Sequence, residues 1–211
     1  MTAALDLHLT NEEKARLQKR GTENPEAWRL YESGVYFWRK AEENGWSEKW
    51  LEKAAEGYQR AMELDQKFAA AYAGLAHSIL SRSTLPNDLL LKARQTAAKA
   101  LELDDGLPQA HLALAALKIS LVSDLDWAGA EAEYKRALAL NPNDSFTRDV
   151  YAMFLSFTGE AEEPLAQHRK ALELDPLSPV AKGSLGFFYV CLGLWDKAIP
   201  LYQSELELKP D

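Results

Sequence analysis

The 211-residue chain is predicted to be all-α, an α-solenoid of about five helix-turn-helix repeats, on three observations. A short phrase recurs in phase: AMELDQ (61–66), ALELDD (100–105), ALALNP (137–142), ALELDP (171–176) and ELELKP (205–210). Its aligned leucines Leu64, Leu103, Leu140, Leu174 and Leu208 stand 39, 37, 34 and 34 residues apart, and self-similarity at such a period marks a repeat array. Helix signals punctuate the copies. Asn24-Pro25-Glu26 reads as an N-cap followed by Pro at the first helical position, and Asp126 and Asp196 read as caps of helices beginning at Trp127 and Lys197. Pro164 and Pro200 are placed near first turns, where an amide has no intrahelical partner to lose.

The phase divides the chain into an N-terminal arm, 1–23, and a repeat domain, 24–211, with units at about 24–66, 67–105, 106–142, 143–176 and 177–210. Each unit is read as two antiparallel helices. In this reading a Gly or Ala on the first helix lets the backbones approach, and an aromatic of the second fills the space beside it. One unit alone cannot bury its apolar face; stacked units share a core. The repeated phrase closes each second helix, with Ala and Leu turned inward, charges turned to water and a Pro or turn preventing continuation. The extra residues of the longer units fall at 40–49, 81–88 and 121–126, expected as loops or extended helix ends. In the arm, Thr10-Asn11-Glu12-Glu13 is a capping box and Gly21 a C-cap, giving a helix of about ten residues. Leu5, Leu7 and Leu9 before it fit a short strand, a frayed helix end or an arm packed on the repeats. Asp211 directly follows a second helix, so both ends read as cuts in a longer protein, and the uncapped end is open to stacking on another copy.

The last unit supplies Leu185-Gly186, Tyr189, Gly193, Trp195, Ala198, Tyr202 and Pro210, which resembles the tetratricopeptide repeat pattern L-G-x-x-Y, G, A-x-x-x-F/Y, P. The fourth unit gives Tyr151-Ala152, Leu155, Gly159, Ala171 and Pro176, with Pro164 and His168 where the family has Ala and an aromatic. Ala130, Tyr134, Ala137 and Pro142 fit in the third unit, Tyr72, Leu75-Ala76, Ala93 and Ala100 in the second, and Gly34, Phe37, Ala54, Tyr58 and Ala61 in the first. The resemblance covers roughly residues 24–210 and implies a right-handed superhelix whose first helices line the concave surface. Two stretches, LTNEEKARLQKRGTENPEAWRLYESGVYFW and SDLDWAGAEAEYKRALALNPN, further resemble the repeat region C-terminal to winged-helix or protein-kinase modules in multidomain bacterial signalling and regulatory proteins. That likeness implies a regulatory partner domain. The expected compartment is the cytoplasm, or the periplasm for a full-length protein with an upstream membrane span.

Charge and motif content exclude several functions. Acids outnumber bases 32 to 24, a net charge of −8, and such a surface repels phosphate backbones and anionic lipid. The densest basic cluster, Lys14, Arg16, Lys19 and Arg20, is diluted by Glu12, Glu13 and Glu23. No apolar run reaches the roughly 18 residues of a membrane-spanning helix. His8, His77, His111 and His168 fall in different units without metal-ligand spacing, so no metal, cofactor or catalytic residue is assigned and the chain is read as no enzyme. His168 is read as a core histidine, and Cys191 as a small apolar residue.

A second apolar stripe on the first helices carries the functional expectation. Trp28, Tyr31, Val35 and Trp38 share one face at i, i+3, i+7 and i+10, and Phe146, Val150, Met153 and Phe157 do the same in the fourth unit. Phe187 follows in the last unit, and His77 lies on the corresponding face of the second. The expected partner-binding groove is therefore Trp28, Tyr31, Val35, Trp38, His77, Phe146, Met153, Phe157 and Phe187, with aromatic anchors toward its two ends and Ala73, Ala113 and Ala116 between. Cover by the arm or by wide core packing is the open alternative. His77 is expected to make affinity depend on pH near neutrality. The groove lacks the Lys, Asn and Arg of tetratricopeptide domains that clamp a C-terminal carboxylate. The expectation is a protein-interaction module binding a peptide or partner-domain segment; the alternative is self-association.

Overall fold

A computed structural model describes residues 21–120, 125–157 and 161–208; the predicted arm helix lies outside them. Ten α-helices and no strand occur among the described residues: α1 (Pro25–Glu43), α2 (Glu48–Leu64), α3 (Ala69–Leu80), α4 (Asn87–Leu103), α5 (Pro108–Lys118), α6 (Trp127–Leu140), α7 (Ser145–Leu155), α8 (Glu162–Leu174), α9 (Pro179–Cys191) and α10 (Trp195–Leu208). Each odd-numbered helix packs on the even-numbered one after it, and each pair packs on the next. The cores cross those boundaries. One cluster joins Tyr58 of α2, Leu75 of α3, Leu90 of α4 and Leu117 of α5, and another joins Leu112 of α5, Tyr134 of α6 and Phe154 of α7. The result is an α-solenoid.

The repeated phrase has a specific job in this architecture. Its alanines Ala61, Ala100, Ala137 and Ala171 are fully buried, at 0% exposure. Their carbonyls accept the last helical bond from the amides of Asp65, Asp104, Asn141 and Asp175, at 2.9–3.0 Å. The acid then turns the chain. Asp65, Asp104 and Asp175 accept through Oδ1 from the amides of Lys67, Gly106 and Leu177, at 2.9, 2.9 and 3.2 Å, the Asx-turn that competes with helix continuation. Alanine is required for close packing and aspartate for the corner. The terminal leucine is less deeply placed than the pattern implies: Leu64 is exposed and Leu103, Leu140 and Leu174 are half-buried.

Glycine and tyrosine fix the spacing within and between pairs. A Cβ at Gly34 of α1 would stand 2.7 Å from the Tyr58 ring, and one at Gly74 of α3 would stand 2.6 Å from it. The buried Tyr58 of α2 therefore fills the space left by glycines on two successive first helices. Gly186 and Tyr202 repeat the arrangement in α9 and α10, with a Cβ at 186 only 2.8 Å from Tyr202 Cζ.

Helix starts follow their caps. Asn24 accepts from the amides of Glu26 and Ala27 at 3.0 and 3.1 Å, and Asp126 accepts from that of Gly129 at 2.8 Å. Two expectations are corrected. Helix α10 begins at Trp195, so Asp196 is not its cap but an acid in its first turn, where it favours the positive end of the helix dipole. Pro200 consequently lies in the second turn, inside the helix, where it removes a backbone bond to Asp196.

Candidate partner-binding groove

The first helix of every pair contributes to one concavity. The solenoid winds tightly enough for α9 to contact α1, which encloses a groove of about 780 Å³ walled by residues of α1, α3, α5, α7 and α9. A smaller extension of about 500 Å³ runs on between α3, α5, α7 and α9. His77, Leu112, Phe146 and Pro179 line both parts.

Trp28, Tyr31, Val35, Trp38, His77 and Phe146 all line the larger part, and Met153 joins His77 and Phe146 in the smaller one. Phe157 and Phe187 line neither part; they are 75% and 61% exposed, and the Phe157 ring sits 6.4 Å from Trp127 of α6. The expected spacing of anchors is corrected. Trp38 of the first unit, His77 of the second and Phe146 of the fourth meet directly, with ring centroids 4.8, 5.1 and 5.2 Å apart. Winding closes the gap that a linear reading leaves between the two ends. Trp28 and Tyr31 also serve the core, packing on Phe68 at 6.3 and 5.0 Å.

The sequence reading omits Trp46, whose ring completes the cluster at 5.5 Å from Trp38 and 5.8 Å from Phe146. Helix α1 ends in a Schellman turn: Gly45 is left-handed at φ 66° and the Trp46 amide bonds Ala41 O at 2.7 Å. The signal was present as Asn44-Gly45 followed by a large apolar residue, which commonly packs back on the helix it terminates. Trp46 itself has φ 61°, a costly conformation for a bulky side chain, and its ring meets Trp38 and Phe146 edge to face.

Acids also line the larger part. Glu32, Glu42, Glu43, Asp144 and Asp175 face one another across it, with Arg39 among them. Burial first, then the charges of Asp175, Asp144 and Glu43, push the Glu42 carboxyl up to about 7, with Arg39 opposing. Burial pushes His77 down to about 4 against the pull of Asp144, so His77 is neutral at neutral pH. The group poised near neutrality is Glu42, not His77.

A pH test follows. Because the folded chain holds a proton on Glu42 that the unfolded chain releases from 4.5 upward, Glu42 lowers stability as pH rises from 4.5 to about 7. His77 has the opposite sign: its contribution is complete above 6.5 and is lost as pH falls toward 4. Thermal melts of Glu42→Gln are therefore expected to exceed wild type at about pH 8 and to match it at about pH 4. An increment independent of pH would remove the desolvated carboxylate from this account.

Beneath the smaller part lies a buried pair. His168 of α8, in the position where the repeat pattern places an aromatic, packs 5.4 Å from Phe188 and bonds through Nδ1 to Asp149 Oδ1 of α7 at 2.8 Å, both side chains 1% exposed. Among the described residues, no group of three or more His, Cys, Asp or Glu is placed to hold a metal ion, and no helix is long and apolar enough to cross a membrane.

No family model matches the chain. Its fold is similar to that of a thermophilic TPR protein of Thermus thermophilus, at a TM-score of 0.68 and 19% identity over 88% of this chain and 92% of that one. A chain of the Cut9-Hcn1 assembly of the APC/C is similar at a TM-score of 0.65 and 18% identity, over 95% of this chain and 37% of that one. This is the tetratricopeptide-repeat fold. YrrB, a tetratricopeptide-repeat protein described as having an unusual peptide-binding site, shares it at a TM-score of 0.50 and 23% identity, over 96% and 94% of the two chains. The chain is also 28% identical, over 151 residues, to the transcriptional regulator HilA of Salmonella typhimurium, a match covering 70% of this chain and 27% of HilA. The match thus spans about a quarter of that relative's length.

Proposed function

We propose that this chain is a non-catalytic protein-interaction module that takes a peptide or partner-domain segment into its concave groove, as one part of a larger bacterial regulatory protein. The observation that carries the reading is the groove of about 780 Å³ walled by every first helix and floored by Trp38, His77 and Phe146. A concave site that sets large rings beside charged side chains suits a segment that buries apolar side chains and carries polar ones. The likeness to HilA supports the regulatory setting, and the peptide-binding site named for YrrB, which shares the fold, supports a peptide as the occupant.

The test is a peptide-array screen with wild type, Trp38→Ala, Phe146→Ala and Phe157→Ala, each first shown to melt near wild type. Loss of Trp38 or Phe146 is expected to weaken binding by about 2 kcal/mol, roughly thirtyfold. Phe157→Ala, outside the groove, is expected to bind as wild type. Equal binding by all four proteins would move the site elsewhere.

A second reading, self-association, is favoured by a different surface. Helix α10 leaves Trp195, Ile199 and Leu206 exposed, an apolar face of the kind that buries itself against another copy. Sedimentation across a concentration series, with Trp195→Glu as the disrupting variant, separates the two readings.

A further inference from the structure

One position on the second helix of each pair meets the pair that follows. Met62, Leu101, Leu138 and Leu172, separated by the same 39, 37 and 34 residues as the repeated phrase, are half-buried. Each packs into a cluster that holds a residue of the next first helix: Leu75 of α3 for Met62, Ala110 of α5 for Leu101, Tyr151 of α7 for Leu138 and Leu185 of α9 for Leu172. Leu165 of α8 joins Leu172 there. A step of 34 residues from Leu165 and Leu172 leads to Ile199 and Leu206 of α10, which have no following pair among the described residues and are 51% and 68% exposed. With the exposed Trp195 and the half-buried Tyr202 they form a stripe at i, i+4, i+7 and i+11. The trailing edge of the solenoid is thus a contact between pairs with one side uncovered.

The leading edge does not match it. Gly34 and Gly186 each meet the tyrosine of their own pair, which aligns α1 with α9. On that alignment Arg29, Ser33 and Tyr36 stand where α9 has Ala181, Leu185 and Phe188, all three buried. Arg29 and Tyr36 are exposed. A copy stacked head to tail would press the Arg29 guanidinium onto Ile199 and Leu206, and removing a charge from water without a partner is costly. Of the two edges only the trailing one is apolar, so the surface that matches α10 is α10 itself. We propose that two copies of this chain pair about a two-fold axis through α10, the helices antiparallel, with Trp195 of each copy against Leu206 of the other. This pairing rests on the self-association reading and gives it a surface and a symmetry. It closes at two copies, whereas head-to-tail stacking would run on as a filament. The stripe is one 14-residue helix long, so the interface is small, under about 1,200 Å², and the expected dissociation constant is on the order of micromolar. No residue of α10 lines the groove, and pairing leaves it open.

Sedimentation of the full chain from about 1 to 200 µM, which spans that constant, is expected to show an equilibrium between monomer and dimer and no larger species. Leu206→Glu and Trp195→Glu, both at exposed positions, are each expected to weaken pairing by about a hundredfold or more, because the two-fold places every substitution in the interface twice. Leu91→Glu, at an exposed leucine of α4, is expected to pair as wild type. The symmetry is read from nitroxide labels in a Cys191→Ser background, which removes the chain's one cysteine. Labels at Gln203→Cys, beside the stripe, are expected to give one short distance between copies, about the 8–10 Å between packed helix axes plus the two label arms. Mixing copies labelled at Gln203→Cys with copies labelled at Arg29→Cys is expected to add a longer distance. A mixed distance shorter than that between the two α10 labels, or species larger than dimers, overturns the two-fold in favour of head-to-tail stacking. A dimer that Leu206→Glu and Trp195→Glu leave intact overturns pairing through α10 and leaves self-association by another surface. A monomer throughout overturns both.

Discussion

Gly57→Leu is expected to destabilise the fold by about 3 kcal/mol, at the upper end of what overpacking costs. A Cβ at this position of α2 would stand 2.9 Å from Leu30 O, 3.0 Å from Gly34 N and 3.1 Å from Gly34 Cα. All three are backbone atoms of α1. A side chain can rotate away from an added methyl, but a helix backbone yields only by moving as a unit, and here that motion separates the first pair and the groove wall above it. Helix propensity favours leucine over glycine by roughly 1 kcal/mol, too little to reverse the sign. Gly186→Leu meets the Tyr202 side chain instead, so its expected cost is smaller, about 1–2 kcal/mol. Urea unfolding of the two variants checks both the size and the order. A Gly57→Leu midpoint equal to wild type would mean that the first pair does not close through its glycines.

What the sequence made legible follows from where the physics is local. The helix pairs were readable because Ala61, Ala100, Ala137 and Ala171 with the residue at each corner solve one packing problem repeatedly, and a 34-residue period survives in the last two units. The stripe on α1 was readable because i, i+3, i+7 spacing is a property of one helix. The meeting of Trp38 with Phe146 was not, since it depends on small rotations accumulated over the intervening units. Phe157 falls beyond the end of α7 at Leu155, so the helical spacing that puts Phe146, Val150 and Met153 on one face no longer places it, and it lines neither part of the groove. The convergence of Asp144 and Asp175 on Glu42 was not readable, since it appears only when the ends of α1, α7 and α8 are brought together. His168 was legible as a departure from the repeat pattern, and its partner Asp149, nineteen residues earlier on the preceding helix, was legible only as an acid interrupting an apolar face.

That pair supports the second large prediction. His168→Phe restores the aromatic of the repeat pattern, yet it is expected to cost about 3–5 kcal/mol, because it leaves Asp149 buried with neither oxygen bonded to protein. The double variant Asp149→Leu/His168→Phe removes both members of the pair and fills their volume with apolar atoms. It is expected to lie within about 1 kcal/mol of wild type or above it, since a buried polar pair is commonly no more stabilising than apolar residues of similar size. The coupling between the sites, measured by urea unfolding of wild type, both single variants and the double, is therefore expected to be large and favourable to the pair. Single costs that simply add would show that the contact between Asp149 Oδ1 and His168 Nδ1, 2.8 Å long, carries no coupling.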